Sequence, residues 1–402
     1  MPQPTPASSS EASLDPLSKA APLSGSSFPP DWRWHHAHAA KSLADVEALF
    51  PGRFDLETLD HGGIDGASAL YAMRATPYYL DLAREASPSD PIWALAVPNP
   101  AERTRHPAER DDPIDDELPE LRPVAGITRR YRDRVLLHPT PVCSVHCRHC
   151  FRKRLVGKAA YALDSSALDE AVAWIAGEPE LHEVILTGGD PLTLSDDRLI
   201  SLLEQLDRLE QITSLRLHTR MLVVNPHRIT EQLTQRLSLL QTPVMVVTHF
   251  NHVRECTPLA SQAVQRLRAA NVDVLNQSVL LAGINDDEHS MRALIRGLLS
   301  ARVRPYALHH ADLVPGTSHL RTSIPQGQRL MRALRGTLPG HALPRYLLDV
   351  PGGHGKIPVE APWLTTDTAG QTWLQAPDGS RHRALDLLTE QHLETNPTGL
   401  SP

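Results

Sequence analysis

The sequence is poor in cysteine, has no long apolar run and carries no strong excess of either charge. Only four cysteines occur in 402 residues, which suits a reducing compartment better than a disulfide framework. No apolar run approaches the ~20 residues of a membrane span. The formal net charge is -7 with basic residues scattered, so nothing argues for nucleic-acid binding. Residues 1–30 lack a basic n-region and an apolar h-region, so no secretory signal is expected and a cytoplasmic protein is. Hydrophobic residues make up 41% of the chain, enough for a large core. The length allows two to three domains, or one barrel with additions.

The few cysteines are concentrated. Cys143, Cys147 and Cys150 follow the spacing C-x3-C-x2-C. Three thiolates on one short loop are able to ligate three irons of a four-iron cluster. The fourth iron is then free to take a small molecule. Ferredoxin runs supply a cysteine for every iron, and zinc sites usually come as C-x2-C pairs. The run matches neither, although a structural zinc knot stays open on spacing alone.

Residues 1–30, rich in Ser, Pro and Ala, read as a disordered tail. A helical pattern follows Trp32 and Trp34 through Leu43, Val46, Leu49 and Phe50, and a second apolar group runs from Leu70 to Leu80. With the acidic, Pro-containing stretch from Asp111 to Pro123 as a linker or wrapping segment, residues 31–125 form an N-terminal helical domain. From Val135 a rhythm begins. Short apolar runs occur at Val135–Leu137, Val184–Leu186, Leu215–Leu217, Val244–Val247, Val274–Leu281, Tyr306–Leu308 and Tyr346–Leu348. Between them lie helical spacings such as Leu199, Leu202, Leu203 and Leu206, or Met291, Leu294, Ile295 and Leu298. Strands alternating with helices imply an α/β fold with a parallel sheet. The expectation is an incomplete (β/α)6-type barrel over 126–325, with its chemistry at the carboxyl ends of the strands. Residues 326–402 form a C-terminal extension, of which 357–402 read as an extended or β-like tail.

Two loops carry candidate chemistry. Thr187-Gly188-Gly189-Asp190 follows an apolar run, and paired glycines let a backbone approach a ligand closely. Asp349-Val350-Pro351-Gly352-Gly353-His354-Gly355-Lys356 places a lysine on a glycine-rich loop. Such a lysine is able to cradle phosphate or to form a Schiff base with an aldehyde cofactor.

The cysteine spacing resembles that of the radical S-adenosylmethionine (SAM) superfamily, and the landmarks together resemble the lysine 2,3-aminomutase family. These are Asp31-Trp32-Arg33-Trp34, Pro77-Tyr78-Tyr79, Tyr131-Arg132-Asp133-Arg134-Val135-Leu136, Cys143 to Arg152, Thr187-Gly188-Gly189-Asp190, Thr248-His249-Phe250-Asn251-His252, Asn276-Gln277-Ser278 and Pro351 to Lys356. The resemblance implies a radical SAM barrel with a [4Fe-4S] cluster on Cys143, Cys147 and Cys150, S-adenosylmethionine, and pyridoxal 5'-phosphate (PLP) on Lys356. It implies Arg130 and Arg134 for the PLP phosphate and Arg152 for the substrate α-carboxylate. It places Gly188, Gly189, Asp190, Arg220, His249 and Gln277 on the SAM side. Asp312 and Asp349 match the two aspartates that meet the ε-ammonium of lysine. The implied activity is that of an isomerase converting L-lysine to β-lysine, fed by a reductant such as flavodoxin or ferredoxin.

The sequence also departs from the family. Asp287 stands where many members place a zinc-binding cysteine, and the carboxyl tail has no cysteine. The intersubunit zinc site is therefore not expected, which leaves a homo-oligomer open. Cys256 is read as a bystander. Phe151 resembles the branch that isomerises lysine for modification of elongation factor P, but that branch tends to lack the aspartate found here as Asp349. Arginine or ornithine as substrate, and a non-catalytic iron–sulfur or zinc protein, are the remaining alternatives.

Overall fold

Five short helices open the fold: α1 (Trp32–Ala37), α2 (Leu43–Leu49), α3 (His61–Leu70), α4 (Pro77–Asp81) and α5 (Pro91–Ala96). Each starts at a side-chain cap, in turn Asp31, Ser42, Asp60, Thr76 and Asp90, which accepts a backbone N–H of the first turn. The computed structural model describes residues 28–360, 362–368 and 371–383. The tail expected at 1–30 lies, up to residue 27, outside the described residues, as does the chain beyond 383.

One nine-stranded sheet follows, its strands neighbours in sequence order. They are β1 (Ile127–Thr128), β2 (Arg134–Thr140), β3 (Glu183–Gly188), β4 (Ser214–His218), β5 (Val244–Thr248), β6 (Asp273–Val279), β7 (Arg304–His309), β8 (Arg345–Val350) and β9 (Gly355–Pro358). Strands β2 to β8 pair in parallel, while β1 and β9 run antiparallel at the two edges. The helices between the parallel strands are α6 (Ser165–Ala176), α7 (Asp196–Asp207), α8 (Met221–Val224), α9 (Glu231–Leu237), α10 (Pro258–Ala269), α11 (Glu288–Ser300) and α12 (Ile324–Thr337). A three-stranded antiparallel sheet, β10 (Leu364–Thr366), β11 (Thr372–Gln375) and β12 (Arg381–Arg383), forms part of the β-like tail expected from the sequence.

The helices form where capping and apolar spacing agree. In α7 the Ser195 cap precedes buried Leu199, Leu202, Leu203 and Leu206, one face of a 3.6-residue period. In α11 the cap is Asp287, which accepts from Ser290 N at 3.0 Å, ahead of buried Met291, Leu294, Ile295 and Leu298. Strand side chains alternate. Leu215 and Leu217 of β4 join the helix-packed core, which leaves Arg216 and His218 on the concave face.

Two expected boundaries shift. The sheet continues through β8 and β9, so the barrel reaches Pro358 rather than ending at 325. The N-terminal helices have no core of their own: Trp32, Tyr79 and Leu95 belong to the same continuous core as Leu186, Leu217 and Val246. Polar ties reinforce this union. Thr76 Oγ1 donates to the Val224 carbonyl at 2.5 Å, and Asn225 Nδ2 to that of Trp32 at 2.9 Å. Among the described residues, no helix is long and apolar enough to cross a membrane.

Candidate active site

The cysteine loop leaves the carboxyl end of β2. Cys143, Cys147 and Cys150 line one small cleft, together with Tyr71, His146 and Lys153. Burial pushes the Cys143 thiol up, helped by Asp190 and the other two thiols; the Cys150 thiol is pushed up to about 11 by burial and then Cys147. Among the described residues no His, Cys, Asp or Glu trio closes on one point as ligands of a single ion do. Three separate sulfur donors on one loop fit a cluster in which each holds its own iron. A Cβ on Gly189 would collide with the backbone of Pro141 and Val142, so only glycine lets the β3 loop pack against the start of the cysteine loop.

Arg220 sits beside this loop. Its Nη1 donates to Cys147 Sγ at 2.9 Å, and its Nη2 lies 2.7 Å from both Tyr79 OH and Glu255 Oε1. Asp190 is buried, and its carboxylate accepts from Leu192 N, Thr219 Oγ1 and Arg220 N at 2.7–3.0 Å. It therefore ties the ends of β3 and β4 together.

Further into the mouth, Gln277 Nε2 lies 3.1 Å from His249 Nε2 and 3.4 Å from His218 Nδ1. Burial holds His249 and His309 down to about 3. It also holds His218 well below the usual histidine range, with His249, Arg216, Lys356 and His309 adding to the effect. The concave face thus carries neutral imidazoles able to hydrogen-bond without adding charge. His218 Nε2, His149 Nδ1 and Arg220 Nε are buried with no hydrogen-bond partner among the described residues, a set of polar atoms that a small polar ligand would satisfy.

On the closing side of the barrel, five ionic groups form one chain. β9 returns antiparallel to β8 so that Lys356 stands directly opposite Asp349, and the two side chains pair. Asp349 Oδ1 also accepts from Arg130 Nη2 at 2.7 Å. Arg130 Nη1 lies 3.4 Å from Asp116 Oδ1, and Asp116 Oδ2 accepts from Arg152 Nη2 at 2.5 Å. Arg152 Nη1 reaches His138 Nδ1 at 3.0 Å. A guanidinium only donates, so His138 accepts there and donates from Nε2 to Thr128 Oγ1 at 3.0 Å. The Asp312 carboxyl belongs to this group: burial, and then Asp349, push it up to about 7, against Lys356 and Arg130. Arg152 and Asp116 also line a cavity of about 490 Å³, floored by Gly188 and Gly189 and walled by Phe151, Leu155 and Tyr161.

The Radical SAM superfamily pattern matches residues 137–295, which include the cysteine loop and the Gly-Gly-Asp turn. The L-lysine 2,3-aminomutase of Acetoanaerobium sticklandii is 37% identical over 82% of this chain and 78% of its own length. That of Clostridium subterminale is 36% identical over 82% and 77%. The chain belongs to the lysine 2,3-aminomutase family. It is a radical SAM enzyme of the isomerase class, with a [4Fe-4S] cluster and S-adenosylmethionine as its radical source. The family is not uniform in substrate: the glutamate 2,3-aminomutase of Clostridioides difficile is 35% identical over 87% of this chain and 82% of its own.

Set against this family, the fold brings together most of the residues singled out from the sequence. Cys143, Cys147 and Cys150 share one cleft, with Arg220 and Asp190 against that loop, and Gln277 lies beside His249. Lys356, Asp349, Arg130 and Arg152 are joined by the ionic chain with Asp312 beside it, and Gly188 and Gly189 line the cavity that Arg152 shares. Arg134 stands apart. It pairs with Asp133 at 3.1 Å and stacks 3.8 Å from the centroid of Tyr131, whose hydroxyl accepts from Lys356 N at 3.0 Å. Cys256 is half-buried against Gly297 and lies outside the cleft of the other thiols. Sequence reasoning missed Asp116, His138, His218 and Glu255. For His218 a signal existed, because alternation in Leu215-Arg216-Leu217-His218 points it inward. Asp116 was hidden in an acidic run that reads as a solvated linker.

Proposed function

We propose that this chain is a PLP-dependent radical SAM aminomutase that converts L-lysine to β-lysine. The observation that carries the reading is the ionic chain from Lys356 to Arg152, with Asp312 beside it. When bound, the cluster with S-adenosylmethionine supplies a hydrogen-abstracting radical, and PLP supplies a conjugated aldehyde that carries the migrating nitrogen.

The residues present fit PLP. Lys356 presents a primary amine at the mouth, and Arg130 a guanidinium whose fork matches a phosphate. Arg152 binds the substrate α-carboxylate. Asp312 and Asp349 bind its distal ammonium. Asp349 already holds an alkylammonium, that of Lys356, which is the same functional group as the end of a lysine side chain. A glutamate side chain would meet two carboxylates there and be repelled. The neutral histidines and the apolar walls orient the substrate and exclude water. A one-electron donor of the flavodoxin or ferredoxin kind completes the system.

Asp349→Ala tests how the distal ammonium is held. A charge-assisted hydrogen bond of about 2–3 kcal/mol corresponds to a rise in the KM for lysine of roughly 30- to 150-fold. Iron content should stay unchanged. A KM equal to that of the unaltered enzyme would remove Asp349 from the site of the distal ammonium.

The pH dependence follows from Asp312. Its carboxyl is pushed up to about 7 from an ordinary 3.8. Below about 7 it is protonated, and Asp349 alone faces the substrate cation. Above that value two negative charges do, so kcat/KM for lysine is expected to rise with pH through about 7. Asp312→Asn should flatten that limb; an unchanged profile would argue against the role. The same shift costs stability as pH rises from 3.8 to about 7, because the folded chain holds a proton that the unfolded chain releases.

A further inference from the structure

We propose that Asp116 is a positioning residue that sets the spacing between the cofactor end and the carboxylate end of the site. The inference rests on the roles given above to Arg130 and Arg152. Among the described residues, Asp116 is the one carboxylate paired with both guanidinium groups, and its side chain is 8% exposed against 6% for Arg130 and 14% for Arg152. Without it two buried cations would face each other across the mouth.

The backbone of this segment is itself tied to the site. Asp116 N and Glu117 N both donate to the Asp112 carboxylate, at 3.0 and 2.8 Å. Asp115 Oδ2 accepts from Gly352 N at 2.8 Å, on the loop that leads to Lys356. Arg110 N donates to the carbonyl of Leu313, next to Asp312, at 2.9 Å. The wrapping segment is thus fastened to the two loops that carry Lys356 and Asp312, and Asp116 projects from it to the two arginines.

The two arginines depend on Asp116 unequally. Arg130 keeps Asp349 at 2.7 and 3.2 Å, and its contact with Asp116 Oδ1 is an ion pair without a hydrogen bond. Among the described residues, the Arg152 side chain hydrogen-bonds only to His138 besides Asp116. Loss of the Asp116 charge should therefore misplace Arg152 far more than Arg130. A residue needed only for folding would disturb both ends and the cluster together.

The experiment uses the full chain with its cluster reconstituted, and compares Asp116→Asn, Arg152→Lys and the double variant. Asp116→Asn is expected to raise the KM for lysine by about tenfold, less than the loss of a direct charge-assisted bond because Arg152 itself remains, while the dissociation constant for PLP changes less than about threefold. Iron content should be unchanged. In the Arg152→Lys background the same substitution should change KM by less than about twofold, because the group it orients is gone. Asp116→Glu, which keeps the charge, should recover part of the loss. If Asp116→Asn does not fold, Asp116→Ser is read in the same way. A KM shift for Arg152→Lys with none for Asp116→Asn would overturn the positioning role and leave the proposed function standing. No shift for Arg152→Lys would overturn both. Effects that simply add in the double variant, or parallel losses of PLP affinity, iron and KM, would also overturn the positioning role.

Discussion

Lys356→Ala protein is expected to lose PLP anchoring and to keep its iron–sulfur cluster. Activity should fall by at least about 10³-fold, the scale on which removing one member of a catalytic unit acts. The sharper readout is chemical. Borohydride reduction of the unaltered enzyme with PLP should fix the cofactor on the peptide containing residue 356, and the variant should show no fixed cofactor there. Lys153 is the informative rival. Unlike Lys356, it is buried, and burial lowers its pKa to about 8, a state that favours reaction with an aldehyde. It is held by Glu102 Oε2 and by the carbonyls of Arg148 and Gly316, each at 3.0 Å. Cofactor fixed at Lys153 would reverse the assignment. Iron content and the cluster's visible absorbance serve as the control, because Lys356 pairs with Asp349 and does not line the cleft that holds the three thiols.

The second large effect is on stability and cluster retention, and it comes from Glu102. The Glu102 side chain is 0% exposed and that of Arg148 1%. Glu102 accepts from Arg148 Nε at 2.9 Å and Nη2 at 2.5 Å, from Lys153 Nζ at 3.0 Å and from Asn99 N at 3.0 Å. Arg148 lies between Cys147 and Cys150 in sequence and also donates to the carbonyls of Tyr71 and Ala72. This carboxylate therefore locks the cysteine loop onto the N-terminal helices. Glu102→Ala leaves two buried cations without a counter-charge, which costs about 3–5 kcal/mol. The expected result is a lower denaturation midpoint and fewer irons retained per chain after reconstitution and gel filtration. Unchanged iron content at a lowered midpoint would mean that the pair supports the fold without fixing the loop.

The parallel strands were legible because each carries a short apolar run and these runs alternate with segments of helical spacing. All seven expected runs overlap strands. The edge strands were not legible. β1 has two residues, and β9 carries exposed Lys356, Ile357 and Pro358, so neither has an apolar signature. Ending the barrel at 325 missed β8, although its run at Tyr346–Leu348 was visible, because strand order cannot be read from a single run. At the site, residues with unusual spacing or chemistry stood out: the thiols, the glycine pair and the lysine after glycines. Asp116 did not, since its meaning depends on Arg152, which the fold brings to it across 36 positions of sequence. Arg134 shows the reverse case. Its position suggested the phosphate, but at the start of β2 its guanidinium lies over the ring of Tyr131.

The turn between β8 and β9 has a further consequence. Lys356 faces Asp349 only because the hairpin register pairs them, with Gly352, Gly353 and Gly355 all at positive φ around the bend. Lengthening or shortening residues 351–354 by one would slip the register by one and turn the amine to the outer surface. The chemistry of this enzyme is therefore vulnerable to a change that alters no reactive group. Loop length here acts as a hidden determinant of activity, and surveys of variants that track only substitutions would overlook it.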